Sequence, residues 1–151
     1  MNFHDIIYLP FQSMWLPIVS GTLKGKKWLL GCGKVFRFLS TTYELPLTQA
    51  FERTIKKDMV FFDVGAHVGY YSMLASVLTG PNGKVAAFEP DRRNLALLKK
   101  HVRINKITNI DVIDMAVADK SGTINFEKGE SSWTGRILFN DSQTAVQETY
   151  P

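Results

Sequence analysis

Cysteine is nearly absent: Cys32 is the only one among 151 residues, so no intrachain disulfide can form and no thiolate cluster can hold zinc. A reducing, cytoplasmic setting is the expectation. Histidine is scarce too, and His4, His67 and His101 lack HExxH spacing, which leaves a protein-bound metal without support. Charge of one sign is not concentrated anywhere. The formal net charge is +4, but Lys24-Gly25-Lys26-Lys27, Lys56-Lys57 and Lys99-Lys100 are small separate groups without interleaved aromatic residues. They read as solvated faces and not as a nucleic-acid surface. No apolar run is long enough to span a bilayer. The stretch from Ile6 to Val19 is broken by Pro10 and Pro17, and His4 and Asp5 precede it with no basic group, which argues against an export signal. It reads as a packing arm, or as an interfacial segment anchored by Trp15. Internal repeats and low-complexity segments are missing as well.

What is present is the material of one ordinary domain with enough chain to bury a core. Up to about residue 45 short apolar runs are interrupted by Gly21, Gly25, Gly31 and Gly33. Trp28-Leu29-Leu30 and Val35 to Leu39 around Gly31-Cys32-Gly33 predict a β-hairpin. Pro46 can open a helix whose Leu47, Ala50, Phe51 and Ile55 share one face, ending near Lys56-Lys57. From Met59 the rhythm is βαβαβ. Val60 to Val64 is nearly continuous in apolar residues, as in a strand buried on both faces of a parallel sheet. A helix follows from Tyr70 to Leu78, then a turn at Gly80-Pro81-Asn82-Gly83 and a second strand from Lys84 to Phe88. Asp91 can cap a helix that turns Leu95, Leu98, Val102 and Ile104 to the sheet. Ile110 to Met115 is a third strand and Thr123 to Glu127 a fourth. The polar stretch after Ser131 carries no assignable pattern.

The chemistry is concentrated in Asp63-Val64-Gly65-Ala66-His67-Val68-Gly69, the loop between the first parallel strand and its helix. In such a sheet a ligand lies across the carboxyl ends of the strands, and glycines at 65 and 69 keep side chains out of its way. A dinucleotide fingerprint would need Gly-x-Gly-x-x-Gly, yet the middle glycine is missing here. That favours a ligand without phosphates, whose amino-acid portion the loop cups while Asp63 meets an ammonium group directly or through water. Glu89 ends the second strand, where an acceptor-only carboxylate suits a pair of ribose hydroxyls. Ribose plus amino acid without phosphate describes S-adenosylmethionine.

On these residues, together with Tyr70-Tyr71-Ser72, Phe88-Glu89-Pro90-Asp91 and Ala116-Val117-Ala118-Asp119-Lys120-Ser121-Gly122, the chain resembles a class I S-adenosylmethionine-dependent methyltransferase, specifically of the FkbM family. The resemblance covers about residues 44 to 132, and Leu23 to Trp28 resembles an N-terminal extension of some members. It implies an α/β, Rossmann-like sheet with helices on both faces, an extension over 1–45 and a cofactor domain over 46–151. Asp63, Gly65, Ala66 and Gly69 would line the methionine end, Glu89 the ribose, and Asp114 with the backbone near Ala116 the adenine; His67, within the loop, is counted with the cofactor-binding residues. Family members mostly transfer the methyl group to hydroxyls of sugars, glycolipids or polyketide-type products, so the implied partner is a small-molecule or glycan acceptor. His67 reads as a locally packed loop residue, and no catalytic base is assigned. Ser131-Ser132-Trp133 is a candidate for the pocket rim.

Members of the family continue through a Ser-Leu-Asp segment and a strand ending Asp-Val-Glu-Gly, and neither is found here. The expectation is a truncated domain holding only one side of the sheet, impaired as a catalyst, and able to self-associate through the exposed edge of its apolar first strand. The competing readings are a non-catalytic cofactor-binding or interaction remnant and, disfavoured by the missing glycine, a nicotinamide dehydrogenase half-domain.

Overall fold

The computed structural model of the chain describes residues 14–29, 37, 40 and 43–119, together with the backbone of 124–127, 136–138 and 147–150. A short antiparallel pair comes first, β1 (Trp15–Pro17) against β2 (Lys27–Leu29), with Trp15 opposite Leu29. Helix α1 (Leu45–Thr54) carries Pro46 in its first turn, where a missing N–H leaves no bond unmade. Then strands and helices alternate: β3 (Val60–Val64), α2 (Tyr70–Thr79), β4 (Lys84–Phe88), α3 (Arg92–Ile104) and β5 (Ile110–Ile113). The three strands pair in parallel in the order β3-β4-β5, with Val60 opposite Lys84 and Val85 opposite Ile110. A separate antiparallel sheet follows, in which β6 (Ile124–Glu127) lies between β7 (Arg136–Leu138) and β8 (Gln147–Tyr150).

Handedness decides where the helices go. A parallel crossover is right-handed, so two successive crossovers that step the same way along the sheet leave α2 and α3 on the same face. Side chains alternate accordingly. Val85 and Ala87 are buried under the helices, and the Phe61 ring lies 5.4 Å from Phe51 of α1. Val60, Phe62 and Val64 point the other way and are 62%, 64% and 61% exposed. The Phe62 ring stacks beside Phe88 with centroids 6.4 Å apart. The expected burial of β3 on both faces is therefore not met, because among the described residues no element packs on that second face. Leu47 of α1 is likewise exposed, and Thr48 is buried in its place.

The N-terminal pair is part of the core and differs from the expected hairpin. Strand β2 pairs with β1, and of the expected partner at 35–39 only Arg37 is described, with helical backbone; residues 31–36 lie outside the described set. Trp28 is fully buried and stacks on His101 of α3 at 4.1 Å between ring centroids, while the edge of Trp15 meets the same imidazole. Asn105, one turn later on α3, takes the Lys27 N–H on Oδ1 at 2.6 Å and gives its amide N–H to the Lys27 carbonyl at 2.9 Å. Asp91 caps α3 as expected, its carboxylate accepting the N–H groups of Arg93 and Asn94. The start of α2 packs against α3 through Gly69, where an added Cβ would lie 2.3 Å from Leu98 Cδ1.

Two stability effects follow from this packing. Burial pushes the His101 pKa from its ordinary 6.5 down to about 4, against the hydrogen bond to the Val68 carbonyl. The unfolded chain takes up the proton first, so this contribution is present above about pH 6.5 and is lost as the pH falls towards 4. Urea unfolding should show it as a wild-type minus His101→Gln difference that shrinks by about 3 kcal/mol over that span; a constant difference contradicts it. Gly69→Ala, at φ 92° and against buried Leu98, should cost about 2–4 kcal/mol, whereas Gly65→Ala, at φ 77° with nothing within 4 Å, should cost about 1–2 kcal/mol. Thermal unfolding of the two variants separates these, and equal losses would contradict the packing role of Gly69.

Candidate cofactor-binding site

The loop Gly65–Gly69 crosses the carboxyl end of β4. The N–H groups of Gly65 and Ala66 both donate to the Phe88 carbonyl, at 3.0 and 2.9 Å, and the Gly69 N–H closes the turn onto the Ala66 carbonyl. Three of its five residues have positive φ: Gly65 at 77°, His67 at 52° and Gly69 at 92°. For His67 that geometry costs about 1 kcal/mol, so something must hold it. The holder is Glu89, whose Oε2 accepts the His67 N–H at 2.7 Å while Oε1 accepts the Asp91 N–H at 2.9 Å. Only 5% of Glu89 is exposed, and burial raises its pKa against the opposing effect of these bonds and one from Asn94. A carboxylate has about four acceptor positions. Three are engaged, which leaves room for about one more donor unless Asn94 gives way.

Asp63 has a partner within the protein. It lies on the helix-facing side of β3 and accepts the Ser72 hydroxyl on Oδ2 at 2.5 Å, so it grips the first turn of α2, where a negative charge suits the helix dipole. Burial raises its pKa, opposed by the Ser72 side chain and backbone. A Cβ at Gly65 would meet nothing within 4 Å, so the backbone there borders open space. Gly69 instead accommodates Leu98. Ala66 is buried beneath the loop, Asp114 is exposed just beyond β5, and Ala116 is half-buried. The structure thus brings His67, Gly65, Ala66 and Glu89 together and sets Asp63 and Gly69 behind them as supports.

Several participants are not singled out by the motif. Ser72 and Asn94 are the partners of the two carboxylates; Ser72 ends the Tyr70-Tyr71-Ser72 stretch of the motif without a role read from it, and only its place in the first turn of α3 hints at Asn94. Beside the start of α2, the Tyr71 hydroxyl donates to Glu44 at 2.7 Å, and burial with Glu44 nearby pushes Tyr43 up to about 12 and raises Tyr71 also. These phenols stay protonated near neutral pH and act as donors. Among the described residues no three His, Cys, Asp or Glu side chains converge on a metal position, and no helix is long and apolar enough to cross a membrane.

No protein-family model matches the chain, and no curated protein does. Solved structures do resemble it. A Pyrococcus horikoshii protein called a transferase is 19% identical over 70% of this chain and 37% of its own, with a TM-score of 0.52. An Escherichia coli protein called a methyltransferase is 17% identical over 68% and 53%, with a TM-score of 0.48. A SAM-dependent methyltransferase from Aquifex aeolicus is 26% identical over 46% and 37%, with a TM-score of 0.42. The chain spans from 24% to 40% of the length of four such structures, the Aquifex protein among them. With the observed strand order, the likeness to the Pyrococcus structure establishes the fold as α/β and Rossmann-like.

Proposed function

We propose that this chain binds S-adenosylmethionine across the carboxyl ends of β3, β4 and β5 and serves methyl transfer to a hydroxyl of a sugar, glycolipid or secondary metabolite, as its resemblance to the FkbM family implies. The observation that carries the reading is the Glu89 carboxylate, bonded to the His67 N–H of the loop while the space above Gly65 stands open. The cofactor supplies an electrophilic methyl group on a sulfonium. The chain's part is orientation: Gly65 admits the methionine end, Glu89 takes a ribose hydroxyl, and Asp114 and the backbone near Ala116 lie by the adenine. Asp63 and Ser72 steady the start of α2 behind the loop. Positioning of this kind can account for a large part of a displacement barrier.

The uncovered side of β3 supports self-association as part of the same proposal. Antiparallel pairing of two copies about Phe62 sets Val60 opposite Val64 and Phe61 opposite Asp63, and joins two three-stranded sheets without bringing like charges together. A non-catalytic cofactor-binding role draws support from the same edge, since the described strands line the crevice from the β3–β5 side only.

Titration calorimetry with S-adenosylmethionine and S-adenosylhomocysteine tests the cofactor reading. Binding is expected for both, with Gly65→Val and Glu89→Ala each weakening it at least about tenfold, or about 1.4 kcal/mol. Affinity should also fall on acidification from a pH above the usual glutamate range, because the raised pKa of Glu89 converts an acceptor into a donor early. No binding at millimolar ligand, or a preference for NAD, overturns it. For self-association, sedimentation velocity should show a dimer that Phe62→Lys disperses; a wild-type chain that stays monomeric up to millimolar concentration contradicts it.

A further inference from the structure

The hydrogen bonds of His101 fix its tautomer and link two parts of the molecule. Backbone N–H groups only donate, so the Leu29 N–H, 3.2 Å from His101 Nε2, must find an acceptor there. The proton therefore sits on Nδ1, which donates to the Val68 carbonyl at 2.9 Å. Leu29 is in β2, and Val68 is in the loop that Glu89 holds from its other side. The ring is fully buried, clamped flat by Trp28 at an interplanar angle of 14° and met edge-on by Trp15. Lys27 and Leu29 present their backbone groups on one side of β2, and α3 meets them with Asn105 and His101 in the manner of a third strand. One turn earlier Leu98 of the same helix packs under Gly69. Helix α3 thus holds adjacent residues of the loop, Val68 by a directed bond and Gly69 by contact.

We infer that His101 is a positioning residue of the loop, one that transmits the docking of the β1–β2 pair to the Val68–Gly69 backbone. The inference rests on the reading of this loop as a cofactor cradle, and it makes the N-terminal pair part of the site. Docking of β2 supplies the N–H that bonds Nε2 and the Trp28 ring that clamps the imidazole, and so keeps Nδ1–H aimed at the Val68 carbonyl. Released from β2, the imidazole loses its bond to Leu29 and its stack on Trp28 and is free to turn, and the Val68 carbonyl loses its fixed donor in a buried setting. By reciprocity, a ligand that orders the loop tightens the hold on β2.

Two variants separate the two arms of the ring. The Asn amide occupies the position of Nδ1 and reaches Val68; the Gln amide occupies the position of Nε2 and reaches Leu29. Both lose the stack on Trp28, so a merely structural role lowers loop protection equally in the two. Hydrogen exchange is expected to show the Gly69 amide and its loop neighbours exchanging faster in His101→Gln than in His101→Asn, with S-adenosylhomocysteine affinity reduced about tenfold in the former and largely kept in the latter. Equal loop exchange in both variants overturns the inference. If the exchange difference is seen while the wild-type chain binds no S-adenosylhomocysteine, the coupling stands and the cofactor reading falls. Should neither variant fold, His101 in the wild-type chain and the Gly69 amide in Trp28→Leu decide: an Nε2–H tautomer by nitrogen chemical shift, or Gly69 exchange unchanged when the stack is removed, overturns the inference, and an Nδ1–H tautomer with faster Gly69 exchange supports it.

Discussion

Glu89 is the constraint on which the rest of the site depends. A nearly buried carboxylate is costly unless its oxygens are engaged, and here the donors come from the two segments that must be held together, the loop after β3 and the start of α3. The bond to His67 fixes a left-handed backbone that a histidine adopts only under restraint. With that peptide fixed, the Gly65 and Ala66 N–H groups converge on the Phe88 carbonyl, and the loop lies flat over the strand end. The carboxylate is thus part of the scaffold as well as a candidate ligand group, which is why so few of its acceptor positions remain for a ribose.

The supports behind the loop follow the same economy. Asp63 looks like a ligand group in sequence, and the alternation of β3 turns it towards the helices, where Ser72 donates to it. Gly69 looks like a close-approach glycine, and it is one: the approach is by Leu98. Two features of one motif therefore serve helix packing, while Gly65 alone faces open space.

Among the described residues, the chirality of the crossovers leaves the sheet covered on one side. Helices α1, α2 and α3 cover one face of the sheet, and the N-terminal pair joins their layer through Trp28 and His101. The opposite face keeps Val60, Phe62 and Val64 in the open, an arrangement that apolar β3 does not favour in isolation. The same arrangement builds a firm wall behind the loop, and β3 is the outer strand of the described three-stranded sheet.

Much of this was legible in the chain itself. The βαβαβ order, the bounds of β4, the capping of α3 by Asp91 and the strap of glycines after β3 all rest on local signals: periodicity, turn residues and short-range side-chain bonds. The hairpin partner of Trp28, the exposure of β3 and the true neighbours of Asp63, Gly69 and His101 were not legible. Each depends on contacts between residues distant in sequence, such as His101 with Leu29 and Val68, and on which face a crossover leaves covered. The sequence by itself determined the elements, their order and the type of loop, because those follow from near neighbours. Only the tertiary structure decided which residues of the loop face open space and which face the protein, because burial belongs to the packed whole.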